Sequence, residues 1–161
     1  MICCQLMSLL KSIAKLIMDK AFDFTIKVGF AQMDFDKVTD LLKDAFWSIG
    51  IQKEEVIKGA QNSALLVGAF IDDNEQIGYA RVLSDKTRFA YILDVIVDEN
   101  YRKQGIGQAM ISFILSHTEL KDVDIWLLAT KDAHGVYQKV GFSPLAKPEI
   151  WMEHRRARPE R

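Results

Sequence analysis

Apolar and polar residues alternate over residues 24–30, with Phe24, Ile26, Val28 and Phe30 on one side, which predicts a half-buried strand. The period then lengthens. Val38, Leu41, Leu42, Ala45 and Phe46 form a helical stripe that Asp34 or Asp36 can cap. After a break at residues 47–50, Lys53–Gln61 reads as a second short helix. Three strands are predicted next, at 64–71, 76–83 and 89–97, and the polar turn at 72–75 suits a hairpin between the first two. Helix and strand alternate thereafter: a helix over 105–117, a strand over 123–129, a helix over 132–140 with Gly141 at its C-cap, and a closing strand. A βαβ connection beside a run of antiparallel strands implies an α+β fold, with a mixed, mostly antiparallel sheet of about six to seven strands and about four flanking helices.

Residues 1–20 carry Ile2, Leu6, Leu9, Ile13 and Leu16 at alternating steps of four and three, which predicts an N-terminal amphipathic helix. Lys11 and Lys15 interrupt the apolar run and no small-residue cleavage site follows, against a secretory signal. Three readings stay open: a helix docked on the domain or on a second subunit, a membrane-surface segment, or an upstream start with Met18 as the first residue. Residues 21–161 are read as one domain. No stretch approaches the roughly 20 apolar residues of a membrane span, so stable insertion is not expected. The only cysteines, Cys3 and Cys4, are adjacent and cannot staple distant parts of a fold, which fits a reducing, cytoplasmic setting.

Composition adds little except through charge. Apolar residues make up 49% and charged residues 27%, as in ordinary globular proteins. The net charge of −1 speaks against nucleic acid as a partner, and the one basic cluster, residues 154–158, reads as a solvated tail.

The chemistry concentrates where the strand ending at Val97 gives way to Arg102-Lys-Gln-Gly105-Ile-Gly107 and then to a helix. Glycines there allow successive N–H groups to converge on an anion, and the helix adds its positive end. A dinucleotide fingerprint fails because Met110 stands where its third glycine belongs, and Asp124 lies near the start of its strand rather than the end. No Gly-Lys-Ser/Thr, G-x-S-x-G or H-E-x-x-H occurs, and His117, His134 and His154 are too dispersed for a zinc set, so no metal is expected.

Arg102-x-x-Gly105-x-Gly107, followed by Ala133-x-x-x-Tyr137-x-x-x-Gly141-Phe142, resembles the GNAT superfamily of acyl-CoA-dependent N-acetyltransferases over about residues 24–154. Segments 46–51, 78–85, 129–134 and 148–152 also look like a bacterial subgroup whose acceptor is poorly defined. The resemblance implies acetyl-CoA as cosubstrate, with its pantetheine arm along Val95, Ile96 and Val97 and its pyrophosphate on the N–H groups of Lys103, Gln104, Gly105, Ile106, Gly107 and Gln108, the turn oriented by Arg102. Thr130 stands where many relatives place an Asn that bonds the pantetheine, and its hydroxyl can replace one of those bonds.

Tyr137 matches the residue that usually protonates the departing thiolate, and a phenol with pKa about 10 stays protonated at neutral pH. The general base is less evident. The carboxylates that peptide-terminus and histone acetylating relatives carry are replaced here by Ile125 and Tyr91. Asp94, flanked by Ile92, Leu93, Val95 and Ile96, is the local candidate base, with a structural Asp as the alternative; His134 is a further candidate. Phe46 and Trp47 read as walls of an acceptor pocket or as core.

The implied function is acetyl transfer to a primary amine of a small molecule in a ternary complex, by a monomer or homodimer. Its rivals are a protein or peptide acetyltransferase, a non-catalytic CoA-binding regulatory module, and a protein that binds a different nucleotide on the same turn.

Overall fold

The computed structural model describes residues 22–157. The predicted N-terminal helix and the two cysteines lie outside them. β1 (Thr25–Val28), β2 (Leu65–Phe70), β3 (Gln76–Ser84), β4 (Phe89–Val97) and β5 (Ile125–Leu127) form one sheet in that order. The first four pair antiparallel, while β4 and β5 run parallel. The helices are α1 (Phe35–Leu42), α2 (Lys53–Gln61), α3 (Ile106–Leu115) and α4 (His134–Gln138). This is a mixed α+β fold, with five strands among the described residues where six to seven were expected. Beyond Gly141 the described chain forms no further strand, and Pro144 and Pro148 remove two ladder donors from that stretch.

The sheet separates two cores. Along β2, Leu65, Val67 and Ala69 face Ile106, Met110, Ile111 and Ile114 of α3, while Leu66 and Phe70 face Val38 and Leu42 of α1 and Val56 and Ala60 of α2. Strand period 2 therefore appears as a choice between two buried faces rather than between core and water. Each of the Val, Leu, Ile, Phe and Met side chains among them contributes roughly 1.5–3 kcal/mol on burial.

Local chemistry sets where the elements stop. Asp34 accepts from the N–H groups of Asp36 and Lys37 and is the cap of α1. That helix ends at Leu42, short of the predicted Phe46, because Ser48 Oγ donates to Leu42 O at 2.7 Å and Gly50 N to Lys43 O at 2.8 Å, turning the chain back. Phe46 is left 55% exposed at that turn. The predicted strand over 24–30 keeps only its centre, since Phe30–Gln32 wind into a 3-10 turn. At α4, Phe142 N bonds to Tyr137 O at 3.1 Å and Gly141 N to Gln138 O at 3.2 Å, the paired bonds expected of a glycine-terminated helix.

Candidate active site

β4 and β5 part company halfway along. Their register runs Phe89 to Ile125, Ala90 to Trp126 and Tyr91 to Leu127, and there it ends, although β4 continues to Val97. The predicted strand 123–129 is thus cut short, because Leu128, Ala129 and Thr130 leave the sheet. The edge of β4 from Ile92 to Val97, including Val95, Ile96 and Val97, has no strand beside it on that side among the described residues. Extended backbone at such an edge is a template for a ligand that can pair as a strand does.

At the middle of this edge β4 bulges. Tyr79 pairs with Ile96 and Arg81 with Leu93, so Asp94 and Val95 together oppose the single Ala80. Asp94 adopts φ 53, a left-handed conformation that a non-glycine residue reaches at some cost. Arg81 Nε donates to its Oδ2 at 2.5 Å, and Arg81 also reaches Ser63 Oγ. The two side chains are 19% and 13% exposed, too enclosed to count as a surface pair. Sequence reasoning named Asp94 and missed Arg81, whose place between Ala80 and Val82 inside a predicted strand was the available signal.

The turn that follows is built as expected, with one difference. Arg102 Nε donates to Val97 O at 3.0 Å, tying the turn to the end of β4. Lys103 has φ 65 and Gly105 has φ 80, so left-handed residues bracket Gln104 and Gly105 becomes the N-cap of α3. Ile106, Gly107 and Gln108 then occupy the first turn of that helix, where N–H groups have no intrahelical partner. Gly107 is not there for backbone freedom. It is helical, and a Cβ added to it would meet only Val97 Cγ2, at 3.8 Å, so its smallness leaves room beside the turn rather than relieving strain.

Tyr137 lies on α4, buried, with its ring edge-on to Phe142 at 6.1 Å. It lines a cleft of about 270 Å³ with Leu128, Ala129, Thr130 and His134. Burial raises the phenol's pKa above its ordinary value, and the nearby Asp132 carboxylate adds to the effect. Thr130 Oγ1 accepts from Ala133 N at 3.0 Å, so the hydroxyl also secures the entry to α4. Buried among the α1 and α2 residues, Tyr79 has its own pKa raised by burial, and its hydroxyl has no hydrogen-bond partner among the described residues.

A second cleft of about 600 Å³ shares Ala129 and Thr130 with the first. Phe46, Trp47 and Tyr91 wall it, and Phe46 and Trp47 stand edge to face at 4.9 Å. Lys131, Arg155 and Arg156 complete it. The basic segment read as a solvated tail therefore brings two arginines to a cleft, which no periodicity in the sequence signalled. No group of metal-ligating side chains occurs among the described residues, and no described helix is long and apolar enough to cross a membrane.

The chain is similar to known proteins in sequence and in fold. A model of the acetyltransferase (GNAT) family matches residues 32–142. The chain is 30% identical over 127 residues to the chloroplastic GCN5-related N-acetyltransferase 2 of Arabidopsis thaliana, covering 76% of this chain and 48% of that protein. It is 28% identical over 124 residues to a histone acetyltransferase of Glycine max, covering 76% and 49%. The chain thus spans about half the length of these curated relatives. Among solved structures, a protein of Xanthomonas campestris pv. campestris assigned to the GNAT family superposes with a TM-score of 0.77 at 30% identity, over 83% of this chain and 94% of that one.

Proposed function

The chain belongs to the acetyltransferase (GNAT) family, and from that premise we propose that it moves an acetyl group from acetyl-CoA to a primary amine by direct attack in a ternary complex. One observation carries the reading: the edge of β4 left unpaired beyond Tyr91 runs on to a glycine turn that opens a helix, and a buried tyrosine lines the cleft beside the end of β5. An extended arm ending in a pyrophosphate fits such a groove. The strand from Val95 to Val97 would pair with the pantetheine, and N–H groups from Lys103 to Gln108 would hold the phosphates. Acetyl-CoA supplies an acyl carbon activated as a thioester.

The residues then divide the work. The amine nitrogen attacks the acyl carbon, the carbon–sulfur bond breaks, and Tyr137 donates its phenolic proton to the sulfur; the amine's surplus proton leaves to a base or water. A phenol whose pKa is raised by burial keeps that proton across the neutral range. For Asp94, the ion pair with Arg81 supports a bracing role at the bulge over that of the base. Thr130, occupied with Ala133, would contribute no more than a single bond to the pantetheine.

We place a small molecule in the acceptor site because the aromatic cleft beside Ala129 and Thr130 is bounded by side chains and neither Tyr91 nor Ile125 supplies the carboxylate of the protein-acetylating classes. The histone acetyltransferase name of the Glycine max relative gives a protein acceptor specific support as the second reading. A cytoplasmic setting and a monomer or homodimer complete the proposal, and nucleic acid has no part in it.

The test is CoA release measured across a panel of small amines and lysine-containing peptides. Release with small amines alone supports the first reading. Release with peptides alone supports the second. Tight CoA binding without release from any amine would instead make the domain a regulatory module.

A further inference from the structure

We infer that the acceptor is a small amine bearing an anionic group, a carboxylate or a phosphate, at the end of an apolar body opposite its nitrogen; this rests on the acetyl-transfer reading above. The second cleft gathers positive charge from two distant parts of the chain, Lys131 just after β5 and Arg155 and Arg156 near residue 157. No carboxylate lines it among the described residues. Glu153 pairs through its carboxylate with Arg155 Nε on the exposed tail. Arg156 has no ion-pair partner among the described residues, and Lys131 Nζ sits 5.6 Å above the Phe46 ring instead of beside an acid.

Such a site discriminates by charge. A purely cationic amine meets like charge there, whereas a carboxylate or phosphate can take forked bonds from guanidinium groups. The rest of its lining is largely aromatic. Phe46 is 55% exposed, and Trp47 stands perpendicular to it, with Tyr91 reaching in from β4. These surfaces suit an aromatic or alkyl skeleton. Ala129 and Thr130 belong to this cleft and to the one holding Tyr137. A molecule anchored by its anionic end among the arginines would therefore present its other end across those two residues, toward the tyrosine and the open edge of β4. The amine must arrive at that end to react.

The test compares 2-phenylethylamine, 4-(2-aminoethyl)benzoate and O-phosphotyramine as acceptors in a CoA-release assay. Both anionic compounds should exceed the neutral-bodied amine in kcat/KM by roughly tenfold or more, the scale of one charge-assisted contact; their ratio to each other separates carboxylate from phosphate. In an Arg155→Ala/Arg156→Ala variant the advantage should shrink toward unity. An equal or better rate with 2-phenylethylamine in the unaltered protein overturns the inference. A second arm needs no turnover: 4-ethylbenzoate and 4-ethylphenyl phosphate should raise the Tm of the CoA-loaded protein, and the double variant should lose that increment. Absence of the increment in the unaltered protein also overturns it. Stabilisation without CoA release from any amine would leave the anion site standing while the acetyl-transfer reading falls.

Discussion

Arg81 and Asp94 are joined across the β3–β4 seam by a 2.5 Å bond at the point where β4 bulges. The pair holds a left-handed residue inside a strand whose neighbours on both sides are apolar. Arg81→Ala should leave an enclosed carboxylate without its partner and lower stability by about 3 kcal/mol, measured by urea unfolding. Asp94→Asn tolerates the same backbone conformation and separates the two roles of this residue. As a brace it should change kcat less than about tenfold, whereas a general base would cost roughly 10²–10⁴-fold. A loss of that larger size with an unchanged Tm would restore Asp94 as base.

Tyr137→Phe keeps the ring against Phe142 and removes only the hydroxyl. The expected result is a drop in kcat of roughly 10²–10⁴-fold with the Kd for acetyl-CoA nearly unchanged. Full turnover in this variant would rule out the phenol as proton donor. Because burial raises its pKa, the alkaline limb that it contributes to kcat in the unaltered protein should lie above the ordinary tyrosine value of about 10.

The two glycines of the turn should fail differently. Gly105 holds φ 80, so Gly105→Ala should cost roughly 1 kcal/mol or more of stability through backbone strain. Gly107 carries no such constraint, and an added Cβ makes only ordinary contact with Val97. Gly107→Ala should therefore fold normally, while Gly107→Glu should fold and yet lose the CoA-induced rise in Tm. That rise is about 5–10 °C at a hundredfold excess of ligand over Kd. An undiminished rise in Gly107→Glu would place the phosphates elsewhere.

Stability should respond to pH at both extremes. The backbone N–H groups of Arg88, Phe89 and Thr87 hold the Asp85 carboxyl well below the usual range, and the bond from Lys37 lowers that of Asp98. Both groups contribute fully above their unfolded value near 4, and the contribution is lost as pH falls through their folded values. Tyr79 and Tyr137 have raised values. Their contribution is intact below about pH 10 and is lost as pH rises beyond it toward the folded values. Tm followed from pH 2 to 12 should show both declines, and Asp98→Asn should flatten the acidic one.

Alternation and helical period along the chain were enough to place every strand and helix core among the described residues, with Lys53–Gln61 and Phe89–Val97 recovered at both ends. The glycine turn from Arg102 to Gly107 was legible in the same way, because a turn that opens a helix is local in sequence; Tyr137 was singled out only by resemblance to a family motif. Element ends were less legible, since Ser48 and Gly50 stop α1 through bonds that reach back over several residues.

What required the tertiary structure is whatever depends on two distant segments meeting. The strand 123–129 is short because β5 diverges from β4 after Leu127, and that divergence opens the edge on which the donor would lie. Asp94 reads as an orphan carboxylate in the sequence and is a partnered one in the fold, because strand register carries Arg81 to it. Arg155 and Arg156 read as a solvated tail until the chain's return brings them to Phe46, Trp47 and Tyr91. Local pattern encodes conformation and short-range chemistry; the aromatic and basic cleft is made of long-range contacts, which only packing of the whole domain decides.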